Sequence, residues 1–163
     1  MQNQMNKYRR LKNLFLRQSY LDAWEDYQRS ILKKSFPKWD YIVLTASNEE
    51  QGKAFQKQIE YRSEKGVLPD ATKFLVIPDP DGKRIGSGGA TLHVLRTLSE
   101  REGFLGDFHG KRILVIHSGG DSKRVPQYSV CGKLFSPVPR ELPDGRGSTL
   151  FDEFLIGMSG VPS

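Results

Sequence analysis

Two segments of the chain combine glycines with cations in the way a phosphate site requires. In residues 113–133, ILVIHSGGDSKRVPQYSVCGK, an apolar run breaks at Gly119-Gly120 and leads into Asp121, Ser122, Lys123 and Arg124, with Pro126 and Gly132-Lys133 beyond. Glycines without a Cβ let backbone N–H groups close on an anion, and Lys123, Arg124 and Lys133 supply the charge that amides lack. A Gly-Gly pair after a strand is also a common tight turn. A second segment of the same character strengthens the phosphate reading. Residues 77–92, IPDPDGKRIGSGGATL, place Lys83 and Arg84 after an Asp81-Gly82 turn, followed by Gly86, Ser87, Gly88, Gly89 and Thr91. Amides at the start of a helix there would face whatever the glycines admit, and the helix dipole favours an anion.

The elements around these segments follow from hydrophobic periodicity. Residues 41–46, 73–77 and 112–117 are short apolar runs rich in Val and Ile, which read as strands of a parallel sheet buried on both faces. Between them, Phe55 and Ile59 mark one helix, with Ser47 and Glu50 as its starting box. Leu92, Val94, Leu95 and Leu98 mark another, expected from Ala90 to about Arg101. The order is α, then βαβαβ, which predicts an α/β, Rossmann-like parallel sheet with helices on both faces. Ligands of such sheets sit beyond the carboxyl ends of the strands, where both glycine segments fall.

The flanks are simpler. Leu21, Trp24, Ile31 and Leu32 recur at helical spacing in a leading segment, with Ser19 and Asp22 as a candidate capping box and Pro37 as its stop. Residues 1–38 form this basic amphipathic segment, and 39–163 a partial α/β domain. Residues 141–147 read as a turn-rich stretch. A last helix is expected after Thr149, its cap, with Asp152 three residues on and Phe151, Phe154, Leu155 and Met158 as its apolar face. With no further strand after it, the domain reads as truncated.

The composition narrows the function classes. The chain has 163 residues and one cysteine, Cys131, so it holds no internal disulfide framework. No run approaches the ~18 apolar residues of a membrane span, and the start lacks a secretory apolar stretch. A cytoplasmic location and no membrane partner are the expectation. The net charge of +6 is concentrated: residues 1–38 carry nine Lys or Arg against three acids, and the remainder carries sixteen of each. A charge excess outside the candidate site, with no nucleic-acid motif, reads as a solvated helix face.

Several phosphate chemistries can be set aside. A Walker A loop needs Gly-Lys-Ser/Thr five residues after its first glycine, and neither segment supplies it. Gly86-Ser87-Gly88 opens a dinucleotide fingerprint, but Thr91 stands at its last glycine. His93, His109 and His117 are scattered and read as structural, and no metal-ligand spacing is present.

What remains is a nucleotidyltransferase signature. Gly119-Gly120-Asp121-Ser122-Lys123-Arg124, Pro126 and Gly132-Lys133 resemble the Gly-Gly-x-Gly-x-Arg…Pro-Lys signature of sugar-nucleotide pyrophosphorylases. Residues 78–88, 117–124 and 132–135 together resemble the N-terminal part of GDP-fucose pyrophosphorylases, especially the bifunctional fucokinase/GDP-fucose pyrophosphorylases. Ser122 departs from the general signature, standing where its third glycine would be. The resemblance implies a sugar-nucleotidyltransferase fold and the transfer of a guanylyl group from GTP to fucose 1-phosphate, with pyrophosphate released. It implies Arg124 and Lys133 as catalytic cations, and Gly119, Gly120, Asp121, Ser122, Lys123, Lys83, Arg84, Gly86, Ser87, Gly88, Gly89 and Thr91 at the nucleotide and phosphates. Mg²⁺ is the expected cofactor, with its principal ligands beyond residue 163. GTP, a sugar 1-phosphate and the rest of a longer polypeptide are the expected partners, and the fragment alone is expected to be inactive. A fucokinase-type role and a non-catalytic nucleotide-binding module are the alternatives.

Overall fold

The computed structural model describes residues 2–118 and 132–163, with side chains from Met5 onward. It is an α/β structure. A long helix α1 (Gln2–Leu32) precedes strand β1 (Tyr41–Ala46), helix α2 (Glu49–Glu64), strand β2 (Lys73–Pro78), helix α3 (Gly86–Glu102) and strand β3 (Ile113–His117). A short hairpin, β4 (Pro137–Glu141) and β5 (Gly147–Thr149), then leads into helix α4 (Leu150–Met158).

The three main strands form a parallel sheet in the order β2-β1-β3. Every residue of β1 is buried. β2 and β3 lie at the edges of this sheet, and most of their residues are only partly covered, against the expectation of burial on both faces. Side-chain alternation divides the core. Ile42, Leu44 and Ala46 pack on one face with Trp24, Tyr27, Phe55, Ile59, Phe151 and Leu155, which brings α1, α2 and α4 together. Tyr41 and Val43 pack on the other with Ile77, Val94 and Leu98, so that α3 covers that face. The crossover from β1 to β2 runs one way along the sheet, and that from β2 to β3 runs back past β1. Connections of one hand running in opposite directions put their helices on opposite faces. Burying Phe55 or Phe151 completely contributes about 1.5–3 kcal/mol each.

Several boundaries differ from the sequence expectation. α1 runs unbroken through Ser19, and Asp22 accepts a hydrogen bond from the Gln18 side chain at 2.7 Å instead of closing a capping box. No Gly or Pro interrupts residues 2–32, and Leu, Arg, Lys, Gln and Met carry the helix through on propensity. The buried face of α1 is Trp24, Tyr27 and Ser30, while Leu21 and Leu32 are exposed. The cap of α2 is Asn48, not Ser47. Its Oδ1 accepts from the Gln51 N–H at 2.9 Å, while Ser47, at the end of the sheet, donates from its N–H and Oγ to the Gln51 side chain. α3 begins at Gly86, four residues before the expected start, so the glycines form its first turn. Leu92 on this helix is exposed, and Val94 and Leu98 carry the packing.

At the end of the described chain, the turn-rich stretch expected at 141–147 joins two strands the sequence did not show, β4 and β5, with Pro137 and Pro139 tolerated because β4 is an edge strand. Thr149 caps α4 as expected. Ile156 takes a core place beside Phe151 and Leu155, whereas Phe154 is exposed.

Candidate functional site

The strand register sets the site. Thr45 of β1 pairs with Ile77 of β2 on one side and with His117 of β3 on the other, at the carboxyl end of the sheet. Tyr41, Val43 and Thr45 share the α3 face of β1. Ile113, Val115 and His117 share it on β3. Thr45 and His117 therefore continue an apolar stripe into polar groups just where the sheet ends, beside the first turn of α3.

A cleft of about 180 Å³ opens there, lined by Thr45, Ala46, Ser47, Asp79, Arg84, Gly86, Ser87, Ala90 and His117. Small-molecule sites run to about 300–1,000 Å³, so the described lining can surround one phosphate or one ring but not a whole nucleoside triphosphate. The N–H of Asp79 donates to the Ala46 carbonyl at 2.7 Å, which holds the Asp79 backbone at the cleft that the residue lines. Gly86 enters α3 with a φ of +71°, a conformation that L side chains rarely adopt, and Ile85 before it makes no side-chain cap. The first amides of α3 thus receive no capping side chain where they border the cleft.

The His117 ring joins the parts. Nε2 lies 3.1 Å from Thr91 Oγ1 and Nδ1 lies 3.5 Å from Thr45 Oγ1. Thr91 donates its hydroxyl hydrogen to the Ser87 carbonyl at 2.9 Å. Ser118 closes on the same place: its N–H donates to Thr45 Oγ1 at 3.4 Å, and its Oγ donates to the Thr45 carbonyl.

Of the residues proposed from sequence, Arg84, Gly86 and Ser87 line the cleft. Thr91 reaches it through His117. Gly88 and Gly89 lie in the same helical turn without lining it, and Gly89 is there for packing, since a Cβ would stand 2.9 Å from that of Ile85. Lys83 is exposed and closes the turn at residues 80–82 through its N–H to the Pro80 carbonyl at 3.0 Å. Gly132, with a φ of +74°, packs where a Cβ would stand 2.9 Å from Gln51 Nε2 and 3.0 Å from Phe55 Cζ. This close approach holds the residue before Lys133 against α2, and Lys133 is not in the lining of the cleft. Gly119, Gly120, Asp121, Ser122, Lys123 and Arg124 lie outside the described residues, as do Pro126 and Cys131.

Sequence reasoning missed Thr45, Ser47, Asp79 and His117. A usable signal existed for two of them: the last residue of a strand, on the parity of its helix-packed side, points at the carboxyl-end crevice. Among the described residues, no group of three or more His, Cys, Asp or Glu gathers as a metal cluster. Asp79 is the carboxylate in the cleft lining, and one carboxylate together with substrate phosphates is a donor set that suits Mg²⁺. No helix among the described residues is long and apolar enough to cross a membrane.

Comparison with known proteins adds the family. Residues 106–163 match the model of the family described as the fucose pyrophosphorylase domain. The chain is 41% identical over 140 residues to the bifunctional fucokinase/GDP-fucose pyrophosphorylase of Arabidopsis thaliana, covering 73% of this chain and 13% of that protein. It is 40% identical over 102 residues to the fucose-1-phosphate guanylyltransferase of Mus musculus, covering 62% of this chain and 17% of that protein. The same-named protein of Homo sapiens is 39% identical over 102 residues, covering 62% of this chain and 16% of that protein. The chain thus spans less than a fifth of the length of these relatives. No solved structure matches it.

Proposed function

Residues 106–163 belong to the fucose pyrophosphorylase family, and on that premise we propose that the chain carries the nucleotide end of an enzyme that makes GDP-fucose from GTP and fucose 1-phosphate. An oxygen of the sugar phosphate attacks the α-phosphorus of GTP, the bond to the β-phosphate breaks, and pyrophosphate leaves. The nucleophile is already an anion, so no base is needed. Holding two polyanions in line and neutralising the charge that grows on the leaving group are the work to be done.

The observation that carries this reading is the cleft at the carboxyl end of the sheet, where Arg84 and the uncapped glycine turn of α3 meet the strand from which the second glycine segment continues. The α3 amides and Arg84 bind phosphate oxygens. Arg124 grips the triphosphate with two parallel hydrogen bonds, and Lys133 places a point charge near the transferred phosphorus. Mg²⁺ supplies charge neutralisation across phosphate oxygens when bound, and Asp79 is the described residue best placed to help hold it. The names of the relatives favour nucleotidyl transfer over kinase chemistry. The mouse and human proteins are named for guanylyl transfer alone, and over the 102 residues they share with this chain they are nearly as identical to it as the bifunctional one is over 140.

Calorimetric titration of the chain with Mg²⁺·GTP, with Mg²⁺·ATP as comparison, tests this reading. Saturable heat with GTP is expected. No heat with either nucleotide, or phosphorylation of free fucose by the chain, would overturn it.

A further inference from the structure

The His117 ring spans three separate elements, and its hydrogen-bond partners dictate which proton it carries. Thr91 has a single hydroxyl hydrogen, and that hydrogen is committed to the Ser87 carbonyl at 2.9 Å. Toward the ring, Thr91 Oγ1 can only accept. Nε2, 3.1 Å away, must therefore carry the hydrogen. Nδ1 is then the acceptor, and Thr45, which receives the Ser118 N–H on its oxygen, turns its own hydroxyl hydrogen toward the ring. The donors run in one direction from Ser118 through Thr45, His117 and Thr91 to Ser87. The opposite tautomer would set Nε2 and Thr91 Oγ1 against each other as two acceptors.

We propose that His117, as its Nε2–H tautomer, is a positioning residue that ties the glycine-rich first turn of α3 to the carboxyl ends of β1 and β3, and so sets the spacing at which the cleft holds one phosphate of a nucleoside triphosphate. The proposal rests on the phosphate-site reading above. Its physical content is geometric. Ser87 lines the cleft and sits in the turn whose amides border it, while Ser118 is the residue at which the chain leaves β3 toward the second glycine segment. Among the described residues, the ring adds a hydrogen-bonded connection between these two places to the packing of α3 on the sheet. Misplacing reacting groups by about 1 Å can cost 100-fold in rate. The proposed reaction asks no proton transfer of His117, because its nucleophile is already an anion.

The test combines a spectroscopic readout with binding. In the chain labelled with ¹⁵N-histidine, the His117 ring should show a single Nε2–H tautomer near neutral pH, and Thr91→Val should release it to a mixture. In calorimetry, His117→Ala should bind Mg²⁺·GTP about tenfold more weakly, the scale of one lost hydrogen bond. His117→Gln, whose amide nitrogen reaches the place of Nε2, should recover most of that loss, while His117→Asn, which reaches only the place of Nδ1, should not. A His117 ring that is Nδ1–H or freely interconverting in the unmodified chain would overturn the tie. So would nucleotide affinity unchanged in both His117→Ala and Thr91→Val, or equal loss in the Gln and Asn variants. A fixed Nε2–H ring in a chain that binds no nucleotide would support the tie and overturn the phosphate-site reading instead.

Discussion

The starts of α3 and α4 pose the same problem and solve it differently. Each helix begins with backbone N–H groups that have no partner within the helix, and each carries the positive end of a dipole. α4 answers with its own side chains. Thr149 Oγ1 accepts from the Asp152 N–H at 3.4 Å, and Asp152 Oδ2 accepts from the Thr149 N–H at 2.9 Å. The same carboxylate takes both prongs of Arg62 from α2, at 2.9 and 3.1 Å, and that guanidinium lies over the rings of Phe135 and Phe151. At α3 no side chain among the described residues caps the helix, three of its first four residues are glycine, and the cleft lies in front. A carboxylate that belongs to the fold occupies one helix start, while the other stays open to an anion from outside. The difference separates a helix start that the fold closes as a joint from one proposed above as a receptor.

The joint should give the largest effect when broken. Arg62 and Asp152 are both buried, so Asp152→Ala leaves an uncompensated charge and is expected to cost about 3–5 kcal/mol of unfolding free energy in urea. A loss under about 1 kcal/mol would remove the contrast between the two helix starts. Acid sharpens the same point. Burial pushes the Asp152 carboxyl up, but the Arg62 and Thr149 hydrogen bonds outweigh it and hold the group below its ordinary value. A carboxyl with a depressed folded-state pKa contributes stability above its unfolded value, about 3.9, and loses it as the pH falls through that value toward the folded one. Asp152→Asn should flatten this part of the acid limb, and an unchanged slope in that variant would count against the assignment.

At the receptor, the next largest effect is one of rate rather than stability. In a chain that turns over GTP and fucose 1-phosphate, Arg124→Ala should reduce turnover by roughly 100- to 1000-fold, about 2.7 to 4 kcal/mol, as for loss of one preorganised charge-stabilising donor. Near-normal turnover would remove Arg124 from the site and leave Arg84 as the cation to test.

The two regions were also unequally legible in the sequence. The joint was half visible: Thr149 and Asp152 stand at capping-box spacing, but Arg62 is ninety residues from Asp152, and no local pattern joins them. The proposed receptor stood out as composition, through glycines beside Lys and Arg after apolar runs. Its boundaries were not. The glycines read as a loop since they are poor helix formers, yet Gly86, Gly88 and Gly89 lie in the first turn of α3. His117 read as structural because its partners, Thr45 and Thr91, become neighbours only through parallel pairing and the crossover of α3. The hairpin of β4 and β5 was hidden by prolines that only an edge strand accepts.

The smallest expected effect is the most discriminating, because two helical glycines can serve as each other's control. Gly88 in α3 and Gly157 in α4 both have open space where a Cβ would stand, with no atom of the described residues within 4 Å beyond their own helix and chain neighbours. Alanine at either position should stabilise the chain by about 0.5–1 kcal/mol, since glycine in a helix gives up more backbone freedom on folding. Their effects on nucleotide should separate. Gly157→Ala should leave Mg²⁺·GTP affinity unchanged. Gly88→Ala should weaken it several-fold even as the melting temperature rises, because a methyl group would then stand beside amides that an anion must approach. Equal affinity in the two variants would mean that no ligand comes close to the start of α3, and that its missing cap is only a poorer helix end.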